Sequence, residues 1–399
     1  MTTHFDVPSL LALTQKQSGE FVAFRQDLHR HPELGFEEHR TSDLVAQRLE
    51  QFGYVVTRGL GGTGVVGQLR RGSGPKRLGL RADMDALPIQ EATGLPYSSD
   101  HSGVMHACGH DGHTAMLMAA ARHIAESVDF SGTLNLIFQP AEEGLGGARK
   151  MMQDGLFTQF PCDAVFAMHN MPGYPPGHLV LRDGSMMASS DYVKITLGGT
   201  GGHGGLPHKA VDPVVAGAAI VMGLQTIVSR NVDPLEMAVI TVGSFHAGRA
   251  NNVIPQTATL ELSVRALDRN VRATLEKRIV GLVNAQAESY GVTAEIDYQR
   301  GYPVLVNHSE QTDFARNVAE ELVGRARVIR QGRALSGSED FAFFLEEVPG
   351  SYLLIGNGDS ESGGHGACMV HNPGYDFHDG NIPIGSAFWS LLVQRYLQG

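Results

Sequence analysis

Short, nearly unbroken apolar runs recur through the first part of the chain. Gly64–Leu69, Arg77–Arg81, Thr133–Phe138 and Ala164–Met168 read as strands buried on both faces of a sheet. Between them the apolar spacing turns helical. Leu44, Val45, Leu49 and Phe52 mark one face of a helix over Glu38–Phe52, with Gly53 as its stop, and His113–Ile124 and Gly146–Met152 suit helices as well. This alternation predicts an α/β domain with a mostly parallel sheet.

The rhythm changes in the middle. Tyr192–Leu197 alternates like a half-buried strand, Asp212–Val228 is helical, and Ala238–Phe245 and Thr257–Ala266 are strands. A long helix over Val271–Ser289 and a strand over Val292–Tyr298 follow, which completes a β-α-β-β-α-β order of the ferredoxin-like kind. After Gly301 the α/β alternation resumes: helix Glu310–Leu322, strand Arg327–Ile329, helix Glu339–Leu345, strand Tyr352–Ile355 and a last helix near Ile384–Leu397. The expected organisation is one catalytic domain over 1–187 and 301–399, interrupted by an inserted domain over 188–300.

Composition narrows the chemistry. The 399 residues carry a net charge of −11, which disfavours nucleic acid and anionic membranes as partners. No uninterrupted apolar run of about 18 residues is found. The stretch Val211–Val228 comes closest but is broken by Asp212, Pro213, Gly217, Gly223 and Gln225. The start lacks the basic and apolar regions of a signal peptide, and Cys108, Cys162 and Cys368 form no disulfide framework, so a cytoplasmic protein is expected. Two stretches match GxGxxG, at Gly62–Gly67 and Gly199–Gly204. The first runs into a strand and the second into Leu206-Pro207, so neither has the strand–turn–helix context that dinucleotide binding needs.

There are 49 Gly and 18 His, against only 3 Cys and 1 Trp. The His are dense around Met105-His106-Ala107-Cys108-Gly109-His110-Asp111-Gly112-His113. Cys108 and His110 are two residues apart, so an extended segment projects both to one side, where they can share a metal. A polar helix start capped by Asp111 is the alternative. Glu142-Glu143 follows the strand Thr133–Phe138, at the end where open α/β sheets place their sites. One carboxylate can face a metal and the other a water; otherwise the pair is a solvated acidic turn. His169-Asn170 and Asp83-Met84-Asp85 stand at the ends of two further predicted strands. His371 opens a polar loop that runs to His378.

Taken together, Arg81–Pro88, Met105–Thr114, Gln139–Gly144, Ala167–Asn170, Ser338–Phe341 and His371–Phe377 resemble the aminoacylase/carboxypeptidase family of dinuclear metallo-amidohydrolases. The similarity is greatest to its hippurate hydrolase and auxin-conjugate hydrolase branch, and it runs in order from about Asp27 onward. The resemblance implies a zinc-peptidase-like catalytic domain and an inserted ferredoxin-like domain serving as lid and dimerisation module. It implies Cys108, His110, Glu143, His169 and His371 as ligands of two divalent metal ions per subunit (Zn, Mn, Co or Ni), with Cys108 bridging and Glu142 as general base.

Where much of the wider family carries His-x-Asp, this chain has Asp83-Met84-Asp85. His110 then takes over as ligand, and Asp85 orients a ligand. His106 and His113 are read as structural or as orienting a ligand. In the inserted domain the resemblance implies that His203 reaches a neighbouring subunit's active site and polarises the scissile carbonyl, while Asn252 and Arg265 hold the substrate carboxylate. The implied reaction is hydrolysis of an N-acyl amino acid by a homodimer or homotetramer. A dipeptidase or aminopeptidase with the same metals, and a non-catalytic acyl-amino-acid binding protein, are the rival readings.

Overall fold

The computed structural model describes residues 6–361 and 363–398. The chain forms two compact units. One comprises Met1–Gly184, Val306–Arg333 and Phe343–Gly399; the other comprises Ser185–Leu305 and Ala334–Ala342.

The first unit is built on an eight-stranded sheet. Its order is Val55–Leu60, Gly64–Arg71, Gly132–Gln139, Arg77–Asp83, Ala164–Pro172, Gly350–Gly358, Leu179–Val180 and Val328–Ile329. The central strands Gly132–Gln139, Arg77–Asp83, Ala164–Pro172 and Gly350–Gly358 are mutually parallel. The hairpin Val55–Leu60/Gly64–Arg71 adds antiparallel strands at one edge, and Leu179–Val180 runs antiparallel to Gly350–Gly358. The unbroken apolar runs have the cause expected of them: Leu78, Leu80, Leu134, Leu136, Val165 and Phe166 are all fully buried.

Helices Val7–Arg30, His110–Ser127 and Asn381–Leu397 pack together over this sheet. The first of these was not expected from the sequence. Its start is marked by Asp6, whose carboxylate accepts the Ser9 N–H, with Pro8 in the first turn. Its inner face carries Leu10, Phe21, Phe24, Arg25 and Leu28.

In the second unit, strands Ser189–Gly198, Ala238–Ala247, Thr257–Ala266 and Thr293–Arg300 form an antiparallel sheet, with Ala238–Ala247 and Thr293–Arg300 at its edges. Helices Pro213–Asn231 and Arg269–Tyr290 complete a β-α-β-β-α-β order. Val193, Ile195 and Leu197 face the helices, which accounts for the period-2 pattern of that strand. Among the described residues, Pro213–Asn231 is one helix long and apolar enough to cross a membrane. Its Ala216, Ile220, Leu224 and Ile227 nevertheless lie in the core of this unit. The return segment Ala334–Ala342 also packs here, where Ala188 donates to the carbonyls of Leu335 and Gly337.

One buried ionic cluster ties the helical layer together. Arg25 donates to Asp376 and Asp379, and the His29 ring meets Asp111 at 2.8 Å. Burial alone would lower the His29 imidazole, but the Asp111 carboxylate overrides it and lifts the group to about 9. A raised folded-state value means that this stabilisation is fully present below pH 6.5 and is lost as pH rises through 9. Wild type minus His29→Gln, measured by urea unfolding, is therefore expected to shrink by about 2–3 kcal/mol between pH 6.5 and 9.5. Parallel stability curves for the two proteins would refute the assignment.

Candidate metal centre

The carboxyl ends of the central parallel strands deliver most of the polar side chains of the first unit to one place. Strand Arg77–Asp83 ends in Asp83, with Asp85 just beyond, and Gly132–Gln139 leads through Pro140 into Glu142-Glu143. Strand Ala164–Pro172 runs further than its apolar run indicated, so His169 and Asn170 lie within it near its end. His371 enters from the loop after Gly350–Gly358, with φ +65°, and its N–H donates to the Ala107 carbonyl at 2.7 Å.

Cys108 and His110 converge by a different route from the extended segment expected. His110 begins the helix His110–Ser127, and Gly109 before it turns the chain with φ +85°. A Cβ on Gly109 would meet Asn170 Nδ2 at 2.3 Å and the Tyr375 hydroxyl at 2.4 Å, so only glycine fits this joint. Asp111 is not a cap either: the helix boundary falls at Gly109, which makes no side-chain cap, and the Asp111 carboxylate is engaged by His29.

Two of the resulting groups of metal-type side chains are triads that share Cys108. The possible ligand atoms of Cys108, His110 and His169 all lie within 4.8 Å of one another, and so do those of Cys108, Glu143 and His371. Cys108 Sγ is 3.3 Å from His169 Nε2, and His371 Nε2 is 3.1 Å from Glu143 Oε1. His110 Nε2 is buried with no hydrogen-bond partner among the described residues, as expected of a ligand atom kept for a cation, and Glu143 Oε1 is buried against the His371 ring. Glu142 is buried rather than solvated, at 6% exposure, and its carboxylate lies within 4.8 Å of the ligand atoms of His110 and Glu143.

The electrostatics favour a divalent ion. Burial, then Glu143, Glu142 and Asp83, push the Cys108 thiol well above its ordinary value, so a thiolate here needs an added cation. Burial opposes a charged His110, yet Asp83, with Asp85 and Glu143 in support, lifts it to about 10. Burial and the adjacent His113 hold His169 well below its usual value, which leaves a neutral imidazole fit to ligate.

Asp85 holds two of these groups at once: Oδ1 lies 3.3 Å from His110 Nδ1, and Oδ2 accepts the Glu143 N–H at 2.9 Å. His113 is spent elsewhere. Its Nδ1 faces Asp83 at 2.6 Å, while Nε2 meets the Asn170 N–H at 2.9 Å. His106 is buried, its ring nitrogens have no hydrogen-bond partner among the described residues, and burial lowers it to about 4.

Sequence reasoning missed the support that runs from Tyr375 through Asn170 to the Cys108 carbonyl, which Asn170 Nδ2 reaches at 2.7 Å. The Gly109 joint between them was its one local signal.

The remaining predicted residues belong to the second unit. His203 pairs with Val253 across a two-stranded ladder, the Gly204 N–H donates to the Asn252 carbonyl, and both His203 and Asn252 line a groove of about 660 Å³. Arg265 is not among the groove's lining residues; it lies in strand Thr257–Ala266 and donates to Ser338 Oγ at 3.0 Å.

Comparison with known proteins gives a consistent picture. Residues 79–395 match peptidase family M20/M25/M40. The chain is 46% identical to hippurate hydrolase of Campylobacter jejuni over 392 residues, covering 98% of this chain and 99% of that protein. It is 37% identical to the IAA-amino acid hydrolase ILR1-like 2 of Arabidopsis thaliana, covering 94% and 85%. Among solved structures it resembles the Bacillus subtilis YXEP protein, a dinuclear metal-binding peptidase of family M20. The TM-score is 0.82 at 31% identity, with 96% of this chain and 99% of that one covered.

Proposed function

The chain belongs to peptidase family M20/M25/M40, and from that premise we propose that it hydrolyses the amide bond of N-acyl amino acids, releasing a carboxylic acid and a free amino acid. The pair of triads meeting at Cys108 carries the reading, because it provides two adjoining ligand sets beside a separate buried carboxylate. Two divalent ions held by Cys108, His110, Glu143, His169 and His371 would supply the positive charge that activates a water and polarises the acyl carbonyl. Mixed thiolate, imidazole and carboxylate donors suit Zn, with Mn, Co and Ni as further candidates.

Glu142 takes the proton of the attacking water and passes it to the departing amine nitrogen. Asp85 fixes the His110 ring and the Glu143 backbone through this cycle. We assign to His203 the stabilisation of the carbonyl oxygen in a neighbouring subunit, and to Asn252 and Arg265 the free carboxylate of the substrate. The exposed, glycine-flanked position of His203 supports the first of these roles. The assembly this requires is a homodimer or homotetramer formed through the second unit.

A panel of N-benzoyl, N-acetyl and N-indoleacetyl amino acids tests the reading against the same amino acids in dipeptides with a free amine. The blocked substrates are expected to be cleaved with kcat/KM at least about 100-fold higher. Preference for free amines would make the protein a peptidase, and binding without turnover would make it a binding protein.

A further inference from the structure

Glu38 sits at the N-terminal boundary of helix His39–Gln51, where a short side chain such as Asp or Ser ordinarily caps the helix. Glu38 does not. Glu33 does the capping from the preceding loop, its two carboxylate oxygens accepting the N–H groups of Arg40 at 2.9 Å and Thr41 at 2.8 Å.

The Glu38 carboxylate is left for another purpose. It is completely buried; Oε2 accepts the Thr63 hydroxyl, and Oε1 accepts the backbone N–H of Ala141 at 2.8 Å. Ala141 immediately precedes Glu142 and has φ +54°, a left-handed conformation unfavourable for a residue with a side chain. Its carbonyl accepts the Gly147 N–H, closing the turn. Two residues on, Asp85 grips the same turn through the Glu143 N–H. Glu142 is therefore suspended between two buried acceptors that fix the backbone on either side of it. The 35–38 segment also lies directly on this turn: a Cβ on Gly35 would stand 3.1 Å from Ala141 Cα.

We propose that Glu38 is a positioning residue for the hydrolytic reaction, holding Ala141 in its left-handed conformation so that Glu142 and Glu143 face the ligand cluster. Keeping a carboxylate there is costly. Burial, with Asp85 nearby, pushes Glu38 up to about 7, against the hydrogen bond from Thr63. A residue needed for packing alone would avoid that cost.

The inference rests on Glu142 being the base, so the test reads turnover and backbone protection separately. Glu38→Ala and the one-methylene-shorter Glu38→Asp are compared with Glu38→Gln, whose amide oxygen can still accept the Ala141 N–H. With N-benzoylglycine and the metal-loaded enzyme, Glu38→Ala and Glu38→Asp are expected to lose at least about tenfold in kcat with KM within about twofold, and Glu38→Gln to stay within about threefold of wild type. Amide exchange in the 140–144 peptide, read by mass spectrometry, is expected to accelerate at least about tenfold in the first two variants only. Glu38→Asp keeps the test decisive if Glu38→Ala does not fold. Unchanged kcat and exchange in Glu38→Asp, or equal losses in Glu38→Asp and Glu38→Gln, would overturn the proposal. A wild type that cleaves no acyl amino acid would instead refute the functional reading, and the exchange measurement would still decide the role of Glu38.

Discussion

In the Glu142→Ala enzyme, kcat for N-benzoylglycine is expected to fall by about 10³-fold while the metal content stays at the wild-type level. The expectation follows from where Glu142 stands. It is buried at the carboxyl end of the sheet, and its carboxylate lies within 4.8 Å of the ligand atoms of His110 and Glu143. The Cys108-centred triads are complete without it. On the proposed assignment, removing it takes away the proton acceptor but leaves the candidate ligands, so kcat and kcat/KM should drop together with little change in substrate affinity. The measurements are steady-state amine release and elemental analysis of the same preparation. Turnover near wild type with the metals retained would remove Glu142 from the mechanism.

Replacement of Cys108 by alanine should have a wider effect. This one sulfur belongs to both triads, whereas His169 is in one and His371 in the other. Cys108→Ala is expected to bind less than half the wild-type metal and to lose at least about 10³-fold in kcat, whereas His371→Ala should keep the Cys108–His110–His169 set. Without a cation, burial and Glu143 keep the Cys108 thiol protonated, so on the proposed ligand assignment metal uptake releases its proton. Chelator treatment of wild type should mimic the substitution reversibly. Full metal stoichiometry in Cys108→Ala would show that the triads do not share a ligand.

Much of this architecture could be read in the chain because the signals were local. A strand buried on both faces leaves an unbroken apolar run, as in Thr133–Phe138, and a half-buried one alternates, as in Tyr192–Leu197. The first helix was missed because its core residues, Leu10, Phe21, Phe24 and Leu28, are diluted by Gln15, Lys16, Gln17, Ser18 and Gly19. The edge strand Val55–Leu60 escaped for the opposite reason: Val55 is largely exposed, and pairing rather than burial holds the strand in place.

The candidate ligands could be named because they cluster in short motifs. The groups that orient them could not. His113 meeting Asp83, Asn170 reaching the Cys108 carbonyl, and Glu38 accepting the Ala141 N–H all join residues far apart in sequence, and no spacing rule connects them. The left-handed Gly109, which replaces the extended geometry expected between Cys108 and His110, is likewise dictated by Asn170 and Tyr375 pressing on it.

The two triads differ in one more respect. Cys108, His110 and His169 all precede the second unit in the chain, whereas His371 follows it. During synthesis one set of donors is complete before the second unit exists, and the other waits until that unit has been made. Tyr375, which supports Cys108 through Asn170, follows the second unit as well, so both sets of candidate donors reach their final geometry only once the last part of the chain has been made.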